Sequence, residues 1–182
     1  TEGHASVAPL FGHNDWPLAL RCALATGQAL HILLPRLDSR VVVAVQHDSP
    51  TGNYRYLSAA YCKSAGQSWA LLDWRALAYL VIRDLAAKNN QPFNDELLVQ
   101  IENSVHVTTT ILEAPWPNAI PSDPLAAYLD SEQSLTYGHP FHPAPKSRQG
   151  FTAEDLHRYS PELRGGFPLH YFAVRRDAVH QQ

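Results

Sequence analysis

Thirteen consecutive residues, Gly138-His139-Pro140-Phe141-His142-Pro143-Ala144-Pro145-Lys146-Ser147-Arg148-Gln149-Gly150, gather several reactive groups in one stiff loop. They offer two imidazoles, an ammonium, a hydroxyl and a guanidinium. Prolines fix the backbone between them, and the two glycines permit dihedrals closed to other residues. Arg158 follows ten residues after Arg148. From 146 to 176 stand Lys146, Arg148, Arg158, Arg164, Arg175 and Arg176 against Glu154, Asp155 and Glu162, six basic groups to three acidic ones. This excess, inside a chain whose net charge is −3, points to a local anion site. A stiff loop with Lys, Ser and Arg ahead of a helix start has the parts that triphosphate binding needs: a point charge, an uncharged hydrogen-bonding group and a two-pronged fork. Backbone amides over 152–155 could add to the cradle. Neither G-x-x-x-x-G-K-S/T nor G-x-G-x-x-G is present. The plainer alternative is a proline-rich surface loop with solvated charges.

His139 and His142 also form an H-x-x-H pair. No carboxylate or cysteine stands at ligand spacing and prolines follow both rings, so hydrogen bonding within the loop or contact with a nucleotide is favoured over a metal. The other histidines (His4, His13, His31, His47, His106, His157, His170 and His180) are scattered and read as surface or satisfied core groups. Cys22 and Cys62 read as small buried hydrophobes, and the four tryptophans as core or interface anchors.

The elements that must position this loop follow from pattern. Asp15-Trp16-Pro17 reads as a helix start with Asp15 as cap and Gly27 as the stop, giving a helix over 16–26. Residues 1–14 read as a loose lead-in. Residues 29–37, 40–47 and 54–62 read as antiparallel strands, the last two joined by a turn over 49–53. The period then shifts to 3.6. Asp73 caps a helix to Lys88 with Trp74, Leu77, Ala78, Val81 and Leu85 inward. Asn94 caps another with Leu97, Leu98, Ile101, Val105 and Leu112 inward. Four prolines between 115 and 124 mark a boundary, expected near 114–123. Ser122 is expected to cap a helix over 124–136, and Thr152 with Asp155 to frame a short one ending near Tyr159. Residues 168–174 read as a strand buried on both faces. Strands early, helices in the middle and a strand late predict an α+β fold, with an antiparallel sheet and packed helices, rather than a doubly wound one.

Composition bounds the rest. The 182 residues are 45% hydrophobic and 17% charged, a globular balance without a strong positive excess, so a generic nucleic-acid binder is not expected. No apolar run approaches a membrane span. Two cysteines outside any C-x-x-C and no leader-like opening make the cytoplasm the expected compartment. Methionine is absent, and a buried late strand would lack neighbours within the few residues that follow. The sequence is therefore expected to be a piece of a longer protein, and an apolar patch left bare around 168–174 would invite self-association into a homo-oligomer.

Three stretches together resemble a known signature: Ser131-Glu132-Gln133, then Gly138-His139-Pro140-x-His142-Pro143-x-x-Lys146-Ser147-Arg148-x-Gly150-Phe151, then Arg158-Tyr159-x-Pro161-Glu162. This wording is similar to that of the siderophore synthetases that work without a peptide-synthetase assembly line. With Pro168-Leu169-x-x-Phe172-Ala173-Val174 it looks most like the aerobactin-synthetase branch that acts on citrate. The match covers about residues 131–174. It implies a cupped-hand enzyme, with residues 1–121 as a thumb-like α+β region and 122–182 as the start of the fingers, the palm lying beyond this chain. It implies a Mg2+- and ATP-dependent ligase that adenylates a carboxylate such as citrate and passes it to an amine, for instance an N-hydroxylated lysine derivative. Ser131, His139, His142, Lys146, Ser147 and Arg148 are then expected at the nucleotide, and Arg158 between the α-phosphate and the carboxylate. A non-enzymatic anion- or partner-binding module and, less favoured, a His-based metalloprotein are the alternatives.

Overall fold

A computed structural model describes residues 5–8, 15–47, 49, 52–115, 121–139 and 141–179. Trp116 and Pro117 of the proline-dense stretch, Pro140 of the loop, and His4, His13 and His180 lie outside these residues. The elements run β1 Ala5–Ala8, α1 Leu18–Leu24, β2 Gln28–Leu34, β3 Ser39–Val45, β4 Ala60–Ser64, β5 Ala70–Leu72, α2 Trp74–Lys88, α3 Asp95–Glu113, α4 Pro124–Gln133 and α5 Ala153–Tyr159, with one-turn 3₁₀ helices at Pro35–Leu37, Pro161–Leu163 and Arg176–Ala178. The expected α+β class with an antiparallel sheet is what the chain adopts. The five strands form a meander in the order β1-β2-β3-β4-β5, every pair antiparallel.

The chain divides into two compact units. The first comprises Thr1–His106 with Tyr137–Ser147, the second Val107–Thr136 with Arg148–Gln182. The first is built on β3, whose Val41 to Val45 are all buried. Side chains alternate across a strand, so β3 feeds two clusters. Val42 and Ala44 join Trp16, Leu20, Leu24 and Ala29 on one face, and Val43 and Val45 join Leu30 on the other. In the second unit Val107 and Ile111 of α3, Leu156 of α5 and Leu163 make a smaller cluster.

Several boundaries differ from expectation for identifiable reasons. α1 begins at Leu18 with Pro17 as its cap residue and no side-chain cap bond. Asp15 is occupied elsewhere. Its carboxylate takes hydrogen bonds from Lys63 Nζ at 2.6 Å and Trp69 Nε1 at 3.3 Å, and the Lys63 ammonium holds its pKa below the ordinary carboxylate value. The third expected strand moves to 60–64, because Tyr56 makes only an isolated bridge to Val45 and the ladder restarts at Ala60. β1 replaces part of the loose lead-in expected over 1–14, because Ala5–Ala8 pairs with β2, and β5 completes the sheet from a segment given no element in the sequence pattern. α4 is capped by Asp123 rather than Ser122: Pro124 fixes the first helical position, and the residue just before it supplies the oxygen that accepts Ala126 N–H at 2.8 Å. The inward faces of α2 and α3 are also rotated. Ile82 and Asp84 are the buried residues of α2, and Ser104, Val107 and Ile111 are buried on α3, while Trp74, Leu85 and Leu112 are exposed. Asp84 is buried because its carboxylate accepts Arg36 N–H at 2.8 Å, satisfying a 3₁₀ turn that follows β2. Cys22 is exposed and Cys62 half-buried, both as free thiols.

The expected strand at 168–174 does not form. Its residues run without a ladder partner among the described residues, and Tyr171 and Phe172 are 88% and 86% exposed. Alternating apolar residues supply the preference, but a strand needs a neighbour to satisfy its backbone groups.

Gly27 does end the α1 region, though not as a left-handed cap. A Cβ placed there would lie 2.5 Å from the Val45 carbonyl oxygen and 2.6 Å from Leu57 Cδ1. The oxygen belongs to the sheet and cannot yield cheaply. Gly27→Ala is expected to destabilise the chain by about 1–3 kcal/mol, read as a lowered urea midpoint at unchanged slope. An unaltered midpoint would show that β3 can shift at its end.

Candidate functional site

In the first unit, the loop 137–147 carries His139, His142, Lys146 and Ser147. The loop is braced from inside by its own histidines. His139 Nδ1 accepts Phe141 N–H at 3.2 Å, and His142 Nδ1 accepts Ala144 N–H at 3.0 Å. With Nδ1 engaged, each ring carries its N–H on Nε2. The two rings, Phe141 and Pro145 line a shallow hollow on this unit. Among the described residues no group of three His, Cys, Asp or Glu side chains is placed to hold a metal.

Lys146 is 4% exposed, an unusual burial for lysine. Two features hold it. Its backbone N–H is accepted by Ser104 Oγ of α3 at 3.0 Å, and its stem runs against Gly138. A Cβ on Gly138 would meet Lys146 Cε at 3.3 Å and Pro145 Cβ at 3.0 Å, and Gly138 has φ +69°. The first glycine of the motif is therefore required twice, for its dihedral and for the space that the lysine stem occupies. Ser147 Oγ donates to Asn103 Oδ1 of α3 at 3.2 Å.

In the second unit, Arg148 NH2 lies 3.9 Å from Glu162 Oε1, a carboxylate whose side chain is 7% exposed. Thr152 and Asp155 form the expected capping box. Asp155 N–H donates to Thr152 Oγ1 at 3.1 Å, and Thr152 N–H to Asp155 Oδ2 at 3.0 Å. Of the amides over 152–155, those two are thereby used by the helix itself and are not offered to an anion. Bonds from the Thr152 backbone and hydroxyl push the Asp155 pKa below its ordinary value, with the Arg158 charge adding to the effect. Leu156 anchors α5 in the small core. Arg158, two residues on and about 200° round the helix, is exposed, its guanidinium 5.4 Å from the Tyr159 ring centre. Tyr159 stands edge-on to both Phe151 and Phe167. Gly165 packs on the backbone behind Arg158, where a Cβ would fall 2.6 Å from the Arg158 carbonyl oxygen. Ser131 is exposed on α4, its carbonyl closing the helix by accepting Ser134 N–H at 3.1 Å. Its neighbours Asp130 and Gln133 accept from Arg164 at 2.5 and 3.3 Å.

The structure thus brings His139, His142, Lys146 and Ser147 together on one loop of the first unit. It places Ser131, Arg148 and Arg158 in the second. Sequence reading gave no role to Asn103, Ser104 or Glu162. The first two look like ordinary polar breaks in a helix, and only the place of Ser104 at the edge of the expected inner face, beside Ile101 and Val105, gives a sign. Glu162 stands in the quoted Pro161-Glu162 wording, where a buried carboxylate is not distinguishable from a solvated one.

These features define an α+β chain with an antiparallel meander and a basic, glycine-hinged loop seated on a helix. Residues 127–182 match the sequence model of the IucA / IucC family. It is 33% identical over 142 residues to the L-2,3-diaminopropanoate–citrate ligase of Staphylococcus aureus, which covers 71% of this chain and 24% of the relative. It is 31% identical over 141 residues to the N(2)-citryl-N(6)-acetyl-N(6)-hydroxylysine synthase of Escherichia coli, with 74% and 24% covered. The ATP-bound aerobactin synthetase IucA from a hypervirulent pathotype of Klebsiella pneumoniae superposes with TM-score 0.66 at 21% identity, over 91% of this chain and 27% of that one, and so shares its fold. The chain spans about a quarter of the length of the curated relatives it matches.

Two outcomes follow for the motif. Gly138→Ala is expected to destabilise the loop by about 1–3 kcal/mol, since φ is positive and Lys146 must move. Proteolysis within 137–147 should accelerate. For Asp155 the folded pKa is depressed, so its contribution to stability is present above the ordinary value of 3.8 and is lost as pH falls through the lower folded value. In an NMR titration Asp155 should titrate below 3.8, and Thr152→Ala should raise that midpoint. Titration at the ordinary value in the parent chain would remove the capping-box assignment.

Proposed function

We propose that this chain is part of an ATP-dependent ligase that activates a carboxylate, citrate in the first instance, and joins it to an amine such as an N-hydroxylated lysine derivative. The observation that carries the reading is the pairing of two facts. The relatives aligned over 71% and 74% of the chain are named for joining citrate to an amine or for a citryl-lysine product, and the motif shared with the family holds a buried lysine on a braced loop. The fold shared with an ATP-bound synthetase supports ATP as the second substrate. The free thiols fit a reducing compartment, the cytoplasm. The division into a thumb-like region, 1–121, and a fingers-like region, 122–182, belongs to the same reading.

In this scheme a carboxylate oxygen of citrate attacks the α-phosphorus of ATP. The bond to the bridging oxygen breaks, pyrophosphate leaves, and an acyl-adenylate remains. The amine nitrogen then attacks the acyl carbon, AMP departs with the C–O bond electrons, and the amine proton goes to solvent. Two anions must meet in the first step, so preorganised cations lower its barrier. Lys146 and Arg148 hold phosphates. Arg158, exposed and steadied by Tyr159, bridges α-phosphate and carboxylate. Ser147, its hydroxyl proton given to Asn103, accepts from a ribose hydroxyl. His139 and His142 present Nε2–H toward the nucleotide, and Ser131 borders it from α4. Mg2+ would neutralise phosphate charge, although among the described residues no group of three His, Cys, Asp or Glu side chains is placed to hold it.

In the whole protein, Lys146→Ala, Arg148→Ala and Arg158→Ala are each expected to cut citrate-dependent pyrophosphate release by about 10–150-fold, the loss of a charge-assisted contact worth about 1.5–3 kcal/mol. Arg158→Lys should rescue least, because a bridge between two anions needs the planar fork. Arg175→Ala and Arg176→Ala, at the exposed end where Arg175 pairs with Asp177, should change little. These 182 residues alone should show no citrate-dependent ATP turnover. If the two controls fall as far as the three site variants, the charge acts diffusely and the assignment fails.

A further inference from the structure

We propose that Asn103 and Ser104 of α3 are positioning residues that set Lys146 and Ser147 for the nucleotide; this rests on the ATP-site reading given above. Two consecutive helix residues hold two consecutive loop residues: Ser104 Oγ accepts Lys146 N–H at 3.0 Å, and Asn103 Oδ1 accepts from Ser147 Oγ at 3.2 Å. The first bond lies inside the protein, with Ser104 5% and Lys146 4% exposed. A buried N–H without an acceptor is costly, so the loop cannot leave Ser104 without losing that satisfaction. One contact would let the loop pivot. Two contacts, whose partners on α3 point about 100° apart, fix its rotation as well as its place. Lys146 is thereby held at its backbone by Ser104 and along its stem by the space at Gly138. A long side chain restrained in this way surrenders less freedom when it meets an anion. The Asn103 bond settles which part of Ser147 faces outward, since a hydroxyl that donates inward presents its lone pairs. Neither residue touches the reacting atoms in the proposed scheme. Their effect falls on ground state and transition state alike, and so on the KM for ATP rather than on kcat.

The test is ATP dependence of citrate-driven pyrophosphate release in the whole protein, with thermal unfolding measured beside it. Ser104→Ala and Asn103→Ala should each raise the KM for ATP about three- to tenfold, leaving kcat and the KM for citrate within about twofold. Ser104→Thr, which keeps the oxygen, should restore most of the ATP affinity. Lys146→Ala, run in the same assay, separates the two levels of the argument. If it raises the KM for ATP while both α3 variants leave it unchanged, the positioning role is overturned and the ATP site stands. If Lys146→Ala leaves both the KM for ATP and kcat unchanged, the site reading falls and the positioning role falls with it. Parallel losses in kcat, both KM values and melting temperature would mark Asn103 and Ser104 as general supports of the fold and overturn the proposal. Should Ser104→Ala fail to fold, Asn103→Ala and Ser104→Thr still decide it.

Discussion

A hydrogen bond between a side chain and a main-chain N–H in the protein interior, Lys146 to Ser104, is the constraint around which the motif loop is arranged. A lysine is seldom buried unless its surroundings over-determine its place. Here three requirements coincide. The N–H needs an acceptor and finds one on α3, the stem needs room and finds it over a residue without a Cβ, and the chain needs a left-handed turn that the same residue supplies. The histidines two residues apart from their partners tighten the intervening backbone, each ring accepting one N–H. Remove any one requirement and the others no longer point to the same conformation.

The second unit solves a similar problem with different means. Its core is small, four apolar side chains from α3, α5 and the turn after α5, so local hydrogen bonding carries much of the burden of fixing α5. The capping box fixes the start of that helix and Gly165 lets the chain fold back tightly against its end. Glu162 is buried next to Arg148, and a buried carboxylate with a cation at hand is far cheaper than one alone. The same pairing restrains the Arg148 guanidinium.

How much of this was legible in the sequence depended on whether the signal was local. Asp73, Asn94 and the Thr152–Asp155 box were readable because a cap and its amide are neighbours in the chain. The α+β class and strands β2 and β3 were readable because alternating Val, Leu and Ile meet few competing explanations. The site motif was legible as wording, and residues 127–182 bear the family pattern. What failed was non-local. β1 and β5 owe their strand state to partners across the sheet. Asp15 was drawn from its cap position by Lys63, forty-eight residues away. Residues 168–174 had the preference for a strand but no ladder. Ser104 and Asn103 serve a loop more than forty residues distant, and no spacing rule links helix polar groups to such a loop.

The charge count that first drew attention to residues 146–176 also changes meaning once partners are assigned. Arg164 is matched by Asp130, Arg175 by Asp177 and Arg148 by Glu162, so half of the six cations are locally compensated. Compensation of this kind leaves little long-range field, because paired charges at contact distance look nearly neutral beyond a Debye length. Arg158 differs in having no ion pair at contact distance among the described residues: its guanidinium lies over the face of Tyr159 and acts on the Asp155 carboxylate only through its field. The region therefore carries a few cations with fixed directions rather than an overall basic patch. That is also why the compound motif is specific. Most of its residues, the glycine, the histidine Nδ1 atoms, the capping pair and the buried glutamate, spend their chemistry on holding the backbone, so the wording records a conformation more than a charge count.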